Sequence, residues 1–89
     1  MLYMAIVKTV RFQRRAQRAM LRHAADAQRI AAKVLAYAAD PQSQANNVKR
    51  LKGGRSMFRL RVGGFRVIFV DEGDTIVVTD VGPRGSIYD

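Results

Sequence analysis

Residues 57–70 read MFRLRVGGFRVIFV, and the reading of this stretch decides the fold. Apolar and basic residues alternate on both sides of Gly63-Gly64, the pattern of two strands joined by a tight turn in which glycine supplies positive φ angles. If the two glycines are the whole turn, Val62 pairs with Phe65, Arg61 with Arg66, Leu60 with Val67 and Arg59 with Ile68. Successive strand residues point to opposite sides. Phe58, Leu60, Val62, Phe65, Val67 and Phe69 therefore share a core face, and Arg59, Arg61 and Arg66 share the other. Like charges directly across a sheet cost stability unless an anion sits between them. The arginine face is thus either a solvated sheet surface or an anion site. No acid lies between Met57 and Val70 to dilute the charge, and guanidinium forks match phosphate oxygens in bidentate fashion, which favours phosphate.

Downstream of the hairpin, Asp71-Glu72-Gly73-Asp74 reads as a turn and Thr75 to Val81, TIVVTDV, as a strand dense in β-branched residues. A four-residue loop would pair Val70 with Thr75 and bring Thr79 opposite Arg66. Gly82-Pro83 then ends the strand beside the arginine face, leaving Arg84 to Asp89 within reach of Arg61 and Arg66. Arg59, Arg61, Arg66, Arg84 and Tyr88 can converge there, with Asp89 the acid nearest to them in sequence. Upstream of the hairpin, Gln42 to Asn47 is a polar, uncharged connection, and Val48 to Arg55, VKRLKGGR, a basic surface loop broken by glycines. Its Gly-Gly lacks the GxxxxGK[ST] spacing of a phosphate-binding loop.

In the N-terminal half, Tyr3 to Val10 is rich in β-formers and reads as a first strand. From Arg11 the period changes: Phe12, Ala16, Ala19 and Met20 recur at helical spacing, with Arg11, Arg14, Arg15, Arg18 and Arg22 on the outer face. That basic face is either solvated or a docking surface for RNA phosphates or an acidic partner. His23-Ala24-Ala25 marks a break between two helices, although the alanines also permit one long helix. A second stripe, Ala27, Ile30, Ala31, Val34 and Ala38, ends at Asp40-Pro41, because the residue before proline is pushed out of helical geometry. His23 reads as a polar residue at a helix end rather than a catalytic group.

The chain has 89 residues and is expected to form a single domain, 1–89, near the lower size limit for burying its own core without metals or staples. It contains no cysteine and one histidine, which excludes disulfides and thiolate metal sites and fits a reducing cytoplasm. Its apolar runs fall well short of the roughly 20 residues that span a bilayer, and MLYMAIVKTVRF lacks the order of a signal peptide, so no membrane partner is expected. A net charge of +9 draws the chain to polyanions: nucleic acid, a ribosomal surface or an acidic protein.

The order strand, helix, helix, Leu51-Lys52-Gly53, Phe58 to Arg66, an acidic turn, then Gly82-Pro83-Arg84 and a terminal Tyr88 resembles the RelE/ParE superfamily of bacterial toxins from type II toxin–antitoxin modules. The resemblance covers Ala5 to Tyr88. It implies an α+β fold, two N-terminal helices packed on a small twisted antiparallel sheet, as in microbial RNases. RelE-like members cut messenger RNA in the ribosomal A site, whereas ParE-like members poison DNA gyrase without catalysis. The ending from Gly82 to Tyr88 is similar to the RelE branch.

On that resemblance, Arg59 and Arg61 occupy positions of basic residues that activate the 2′-hydroxyl and hold the phosphate. Arg66 and Arg84 match arginines that stabilise the transition state and leaving group, and Tyr88 matches a tyrosine that stacks on or orients the nucleotide. Lys49, Arg50, Lys52 and Arg55 are the expected RNA-binding residues. The implied chemistry is attack of the 2′-OH on its own 3′-phosphate, with no metal and no cofactor. The implied partners are the ribosome and messenger RNA, and a cognate antitoxin that covers the basic face and carries the complex to operator DNA. Two positions depart from the pattern: Arg59 stands where many relatives have lysine, and Pro83 where they often have a polar or basic residue. Three functions follow: a ribosome-dependent endoribonuclease, a ParE-like gyrase inhibitor, or a degenerate member that only binds nucleic acid.

Overall fold

The computed structural model describes residues 7–52 and 56–86. The chain runs β1 (Thr9–Phe12), α1 (Arg14–Arg22), α2 (Ala24–Ala39), a 3-10 helix (Pro41–Asn47), β2 (Val48–Arg50), β3 (Met57–Val62), β4 (Phe65–Asp71) and β5 (Thr75–Pro83). The strands form one sheet in the order β1-β5-β4-β3-β2. The two helices cover one face of this sheet, so the architecture is the α+β arrangement expected. No helix among the described residues is long and apolar enough to cross a membrane.

The central hairpin has the register read from its alternation: Val62 pairs with Phe65, Arg61 with Arg66, Leu60 with Val67 and Arg59 with Ile68. Gly63 has φ 57° and is the one glycine of the pair in the left-handed region, the φ pattern of a II′ turn, whose twist matches that of the flanking strands. Leu60, Val62, Val67 and Phe69 are buried, with Phe58 and Phe65 packed against them. Burying each such side chain is worth about 2 kcal/mol.

The helices meet this face through small residues. Ala16 and Ala19 of α1 are fully buried, and Ile30, Val34, Tyr37 and Ala38 of α2 complete the core with Ile76, Val78 and Val81 of β5. The chain does break between the helices, at His23, where φ is −111° and ψ 46°. There the His23 ring meets Phe65 edge-on, with centroids 5.1 Å apart. Tyr37, absent from the predicted stripe, packs its ring against Phe69 at a tilt of 56°, with centroids 4.8 Å apart.

Several sequence-based expectations are corrected. The first described strand is Thr9–Phe12, not Tyr3 to Val10, of which Tyr3 to Ile6 lie outside the described residues. Arg11 and Phe12 therefore belong to β1, and α1 starts at Arg14. Pairing with β5 decides this: Phe12 lies beside Val78, and the Gln13 N–H donates to the Val78 carbonyl at 2.9 Å before the helix begins. β1 runs parallel to β5, so the sheet is not wholly antiparallel; the helical connections between them permit it. Residues 42–47 form most of a 3-10 helix rather than an irregular connection, and Val48–Arg50 form a strand along β3 rather than a loop.

The register of β5 also differs. Asp71 belongs to β4 and pairs with Ile76, leaving a tighter turn at Gly73-Asp74 in which the Glu72 N–H donates to the Thr75 carbonyl. Val70 consequently faces Val77, not Thr75. A β-bulge between Ile68 and Phe69 then adds Thr79 as an extra residue on β5, so that Arg66 lies opposite Gly82 rather than Thr79. The Thr79 hydroxyl donates to the Ile68 carbonyl at 3.3 Å within the bulge.

Candidate functional site

The sheet face without helices carries the charge, and the register sorts it into rows. One row runs Lys49, Arg59, Ile68, Asp80 across β2, β3, β4 and β5. The next runs Arg61, Arg66, Gly82. Neighbouring strands lie about 4.8 Å apart, which holds Lys49 against Arg59 and Arg61 against Arg66. Asn47, at the end of the 3-10 helix, accepts a hydrogen bond from Arg61 Nη2 at 3.3 Å.

The cations differ in setting. Lys49 and Arg61 are exposed and Arg59 is half-buried. Arg66 is only 6% exposed, and its Nη1 donates to the carbonyls of Gly63 and Phe65, bracing the hairpin turn. Arg84 is exposed, and its N–H donates to the Gly64 carbonyl at 2.8 Å, which moors the end of β5 to that turn. The structure thus brings Arg59, Arg61, Arg66 and Lys49 together. Arg50 pairs with Phe58 and so falls on the opposite face, and Lys52 lies exposed beyond β2. Arg55 and Tyr88 lie outside the described residues, as does Asp89.

Two features were missed in the sequence. Asp80 places an acid on the open face that the predicted register hid. Its carboxylate lies 3.5 Å from Arg15, where it offsets a first turn of α1 that holds arginines and no acid, an arrangement unfavourable to the helix dipole. Ile68 is fully buried between Arg59 and Asp80, giving the open face an apolar floor. Alternation alone placed Ile68 on the arginine side, which was the available signal.

A pocket of about 300 Å³ opens at the β2–β3 edge, lined by Asn46, Asn47, Val48, Lys49, Arg59 and Arg61. Three cations and two amides facing one cavity can hold an anion and hydrogen-bond a neutral group beside it. No three His, Cys, Asp or Glu side chains gather as a metal-ligand set among the described residues. On the helical side, an apolar groove of about 610 Å³ runs between α1 and α2, lined by Phe12, Gln17, Met20, Leu21, Ala24, Ala27 and Ala31. Leu21 is 79% exposed at its rim, so this groove leaves apolar surface in water.

Under the helices lies a second polar cluster. Asp71, on the core face of β4, accepts from the Tyr37 hydroxyl at 2.8 Å, from Lys8 Nζ at 3.2 Å and from the Gly73 N–H at 2.9 Å. Burial by itself would raise the Asp71 pKa, but these three donors hold it below the usual carboxylate range. Burial and the same carboxylate push the Tyr37 phenol upward. This cluster ties the segment before β1 to α2 and to the β4–β5 turn, away from the arginine rows.

Comparison with known proteins agrees with this architecture. The family model for the ParE toxin of the type II toxin–antitoxin system parDE matches residues 10–88. Toxin RelE3 of Methanocaldococcus jannaschii is 42% identical over 43 residues, 48% of this chain and about half (49%) of that protein's length. The fold is that of the archaeal RelE–RelB complex from Pyrococcus horikoshii, with TM-score 0.71 at 22% identity over 90% of this chain and 98% of that chain. The RelBE2 toxin–antitoxin complex of Mycobacterium tuberculosis aligns with TM-score 0.60 at 27% identity over 93% of this chain and 98% of that chain. The chain belongs to the ParE toxin family of type II toxin–antitoxin systems, within the RelE/ParE superfamily.

Proposed function

We propose that the chain is a ribosome-dependent endoribonuclease that cuts messenger RNA and so arrests translation. The observation that carries this reading is the pair of rows on the open face. Lys49 with Arg59 and Arg61 with Arg66 set like charges side by side beside a pocket, an arrangement that a bound phosphate stabilises. In the reaction the ribose 2′-oxygen attacks the adjacent phosphorus and the bond from phosphorus to the next 5′-oxygen breaks. The products are a 2′,3′-cyclic phosphate and a 5′-hydroxyl. Arg59 and Arg61 hold the phosphate and stabilise the charge that builds on the phosphorane. Arg84 stabilises the leaving oxygen, and Tyr88 orients the nucleotide. Each well-aimed donor is worth about 3 kcal/mol of barrier, roughly a hundredfold in rate.

Arg59 is not the base. A guanidinium carries donors and no acceptor, so the 2′-hydroxyl proton passes to another group, for which Tyr88 and Asp89 are the candidates nearest in sequence, and the 5′-oxygen takes up a proton in exchange. Arg66 braces the hairpin that presents Arg61, through its contacts with the turn carbonyls of Gly63 and Phe65.

The second partner is a cognate antitoxin, as in the complexes of the structural relatives, and through it the pair reaches operator DNA. The apolar groove between α1 and α2 gives a helical segment of that antitoxin a seat. Exposed Arg14, Arg18 and Arg22 on α1 favour acidic residues along its edges.

A translating extract tests the catalytic reading. Added toxin should yield downstream fragments that polynucleotide kinase labels without prior phosphatase, the mark of a 5′-hydroxyl, and Arg61→Ala should reduce them about a hundredfold. Fragments bearing 5′-phosphate, or intact messenger, would overturn it.

A further inference from the structure

The pocket at the β2–β3 edge has two unlike walls. Lys49, Arg59 and Arg61 form the cationic one, and Asn46 and Asn47, at the end of the 3-10 helix, form the other. Cations suffice to hold a phosphate, and phosphate contacts carry no sequence information directly. Amides add what cations lack: a paired donor and acceptor that can tell one base edge from another.

The two asparagines are not equivalent. Asn47 is engaged at both ends of its amide: Oδ1 accepts from Arg61 at 3.3 Å and Nδ2 donates to Gln44 Oε1 at 3.2 Å. Gln44 is only 8% exposed and donates in turn to the Ser43 hydroxyl, which donates to the Asp40 carbonyl at 2.7 Å. This relay fixes Asn47 and, through it, the guanidinium of Arg61. The Asn46 side chain makes no hydrogen bond among the described residues and lies exposed at the mouth of the same pocket.

We propose that the pocket receives one unpaired nucleotide, its phosphate on Lys49, Arg59 and Arg61 and its base against Asn46, so that Asn46 sets which base is accepted beside the cut. The amide of asparagine matches the donor and acceptor of adenine in bidentate fashion, and single-stranded RNA exposes those edges. Adenine is therefore the favoured base. The inference rests on the endoribonuclease reading and goes beyond it by assigning base selection to a residue outside the cationic set.

The test is the base composition around cuts mapped by 5′-hydroxyl ends after induction of the full chain in cells, for wild type, Asn46→Ala and Asn46→Asp. Wild type should prefer adenine about tenfold at one position flanking the cut. Asn46→Ala should flatten that preference to within about twofold, the cuts that remain falling beside all four bases alike, and since Asn46 is exposed and makes no hydrogen bond among the described residues the fold should be kept. Asn46→Asp, which keeps the shape but offers only acceptors, should shift the preference toward cytosine, whose exocyclic amine donates. An adenine preference unchanged in both variants, or no base preference in wild type, overturns the assignment while leaving the cleavage intact. Absence of 5′-hydroxyl ends in wild type removes the endoribonuclease reading itself, and with it this assignment.

Discussion

Replacing Asp71 with alanine removes the acceptor shared by three donors, and the structure indicates the cost of each. The Tyr37 hydroxyl loses most, because Tyr37 is only 6% exposed and cannot exchange the lost bond for water. A buried donor left unsatisfied costs about 2 kcal/mol. The Lys8 ammonium, 18% exposed, rehydrates in part, and its pairing is worth about 1 kcal/mol or less. The Gly73 N–H is exposed in the turn and contributes only a few tenths of a kcal/mol. Asp71→Ala should therefore lose about 3 kcal/mol, which for a domain of this size lowers Tm by about 15 °C.

Tyr37→Phe should lose about 1 kcal/mol, and the double variant should lose less than the two single losses together, because the hydroxyl and its acceptor vanish as a pair. Urea unfolding monitored by far-UV circular dichroism measures all three. The pH dependence has a definite sign. Asp71 has a depressed folded-state pKa, so its contribution is present above the unfolded carboxylate value near 4 and is lost as pH falls through the lower folded value. Asp71→Asn should flatten that part of the acid limb. A loss below about 1 kcal/mol for Asp71→Ala, with an unchanged acid limb in Asp71→Asn, would refute the idea that this cluster holds the segment before β1 to α2 and β4.

Further outcomes follow from other parts of the molecule. Gly63→Ala should cost about 1–2 kcal/mol in thermal unfolding, since φ is 57° there and a Cβ would also lie 3.1 Å from Arg29 Nη1. Asn47→Ala should slow single-turnover cleavage about tenfold while changing binding of single-stranded RNA less than twofold, because Arg61 remains but loses its support. Leu21→Glu should weaken capture by the cognate antitoxin at least tenfold in titration calorimetry, with toxicity in its absence retained, because Leu21 lies in the helical groove and not on the arginine face.

How much of this was legible in sequence depended on whether the controlling interaction was local. The hairpin could be read in full because period-two alternation and a two-glycine turn fix register within a few residues. The same local logic placed the helix break near His23 and the end of α2 before Pro41. β1 was misplaced because Arg11 and Phe12 suit a strand or a helix equally, and the deciding partner, β5, lies more than 60 residues away. The β5 register failed because the bulge at Thr79 has no compositional mark, and that error hid Asp80. Val48-Lys49-Arg50 has three residues, too few for periodicity to show, and only pairing with β3 makes it a strand.

The site was legible in its charge and not in its framework. Arg59, Arg61 and Arg66 could be placed on one face from spacing alone. That Arg66 would be buried against the turn carbonyls, or that the 3-10 helix would supply an amide wall beside Arg61, needs the fold in three dimensions. The Tyr37–Asp71–Lys8 cluster joins residues 34 and 63 positions apart and has no sequence signature.

The measurement that tests the central claim most directly is to induce the chain in bacterial cells without an antitoxin, mapping 5′-hydroxyl ends on messengers while following the supercoiling of a reporter plasmid. The account predicts new ends at ribosome-occupied codons, abolished by Arg61→Ala and Arg84→Ala, with supercoiling unchanged. Intact messengers together with gyrase-trapped DNA breaks that persist in both variants would contradict it, and the arginine rows would then be a protein-binding surface.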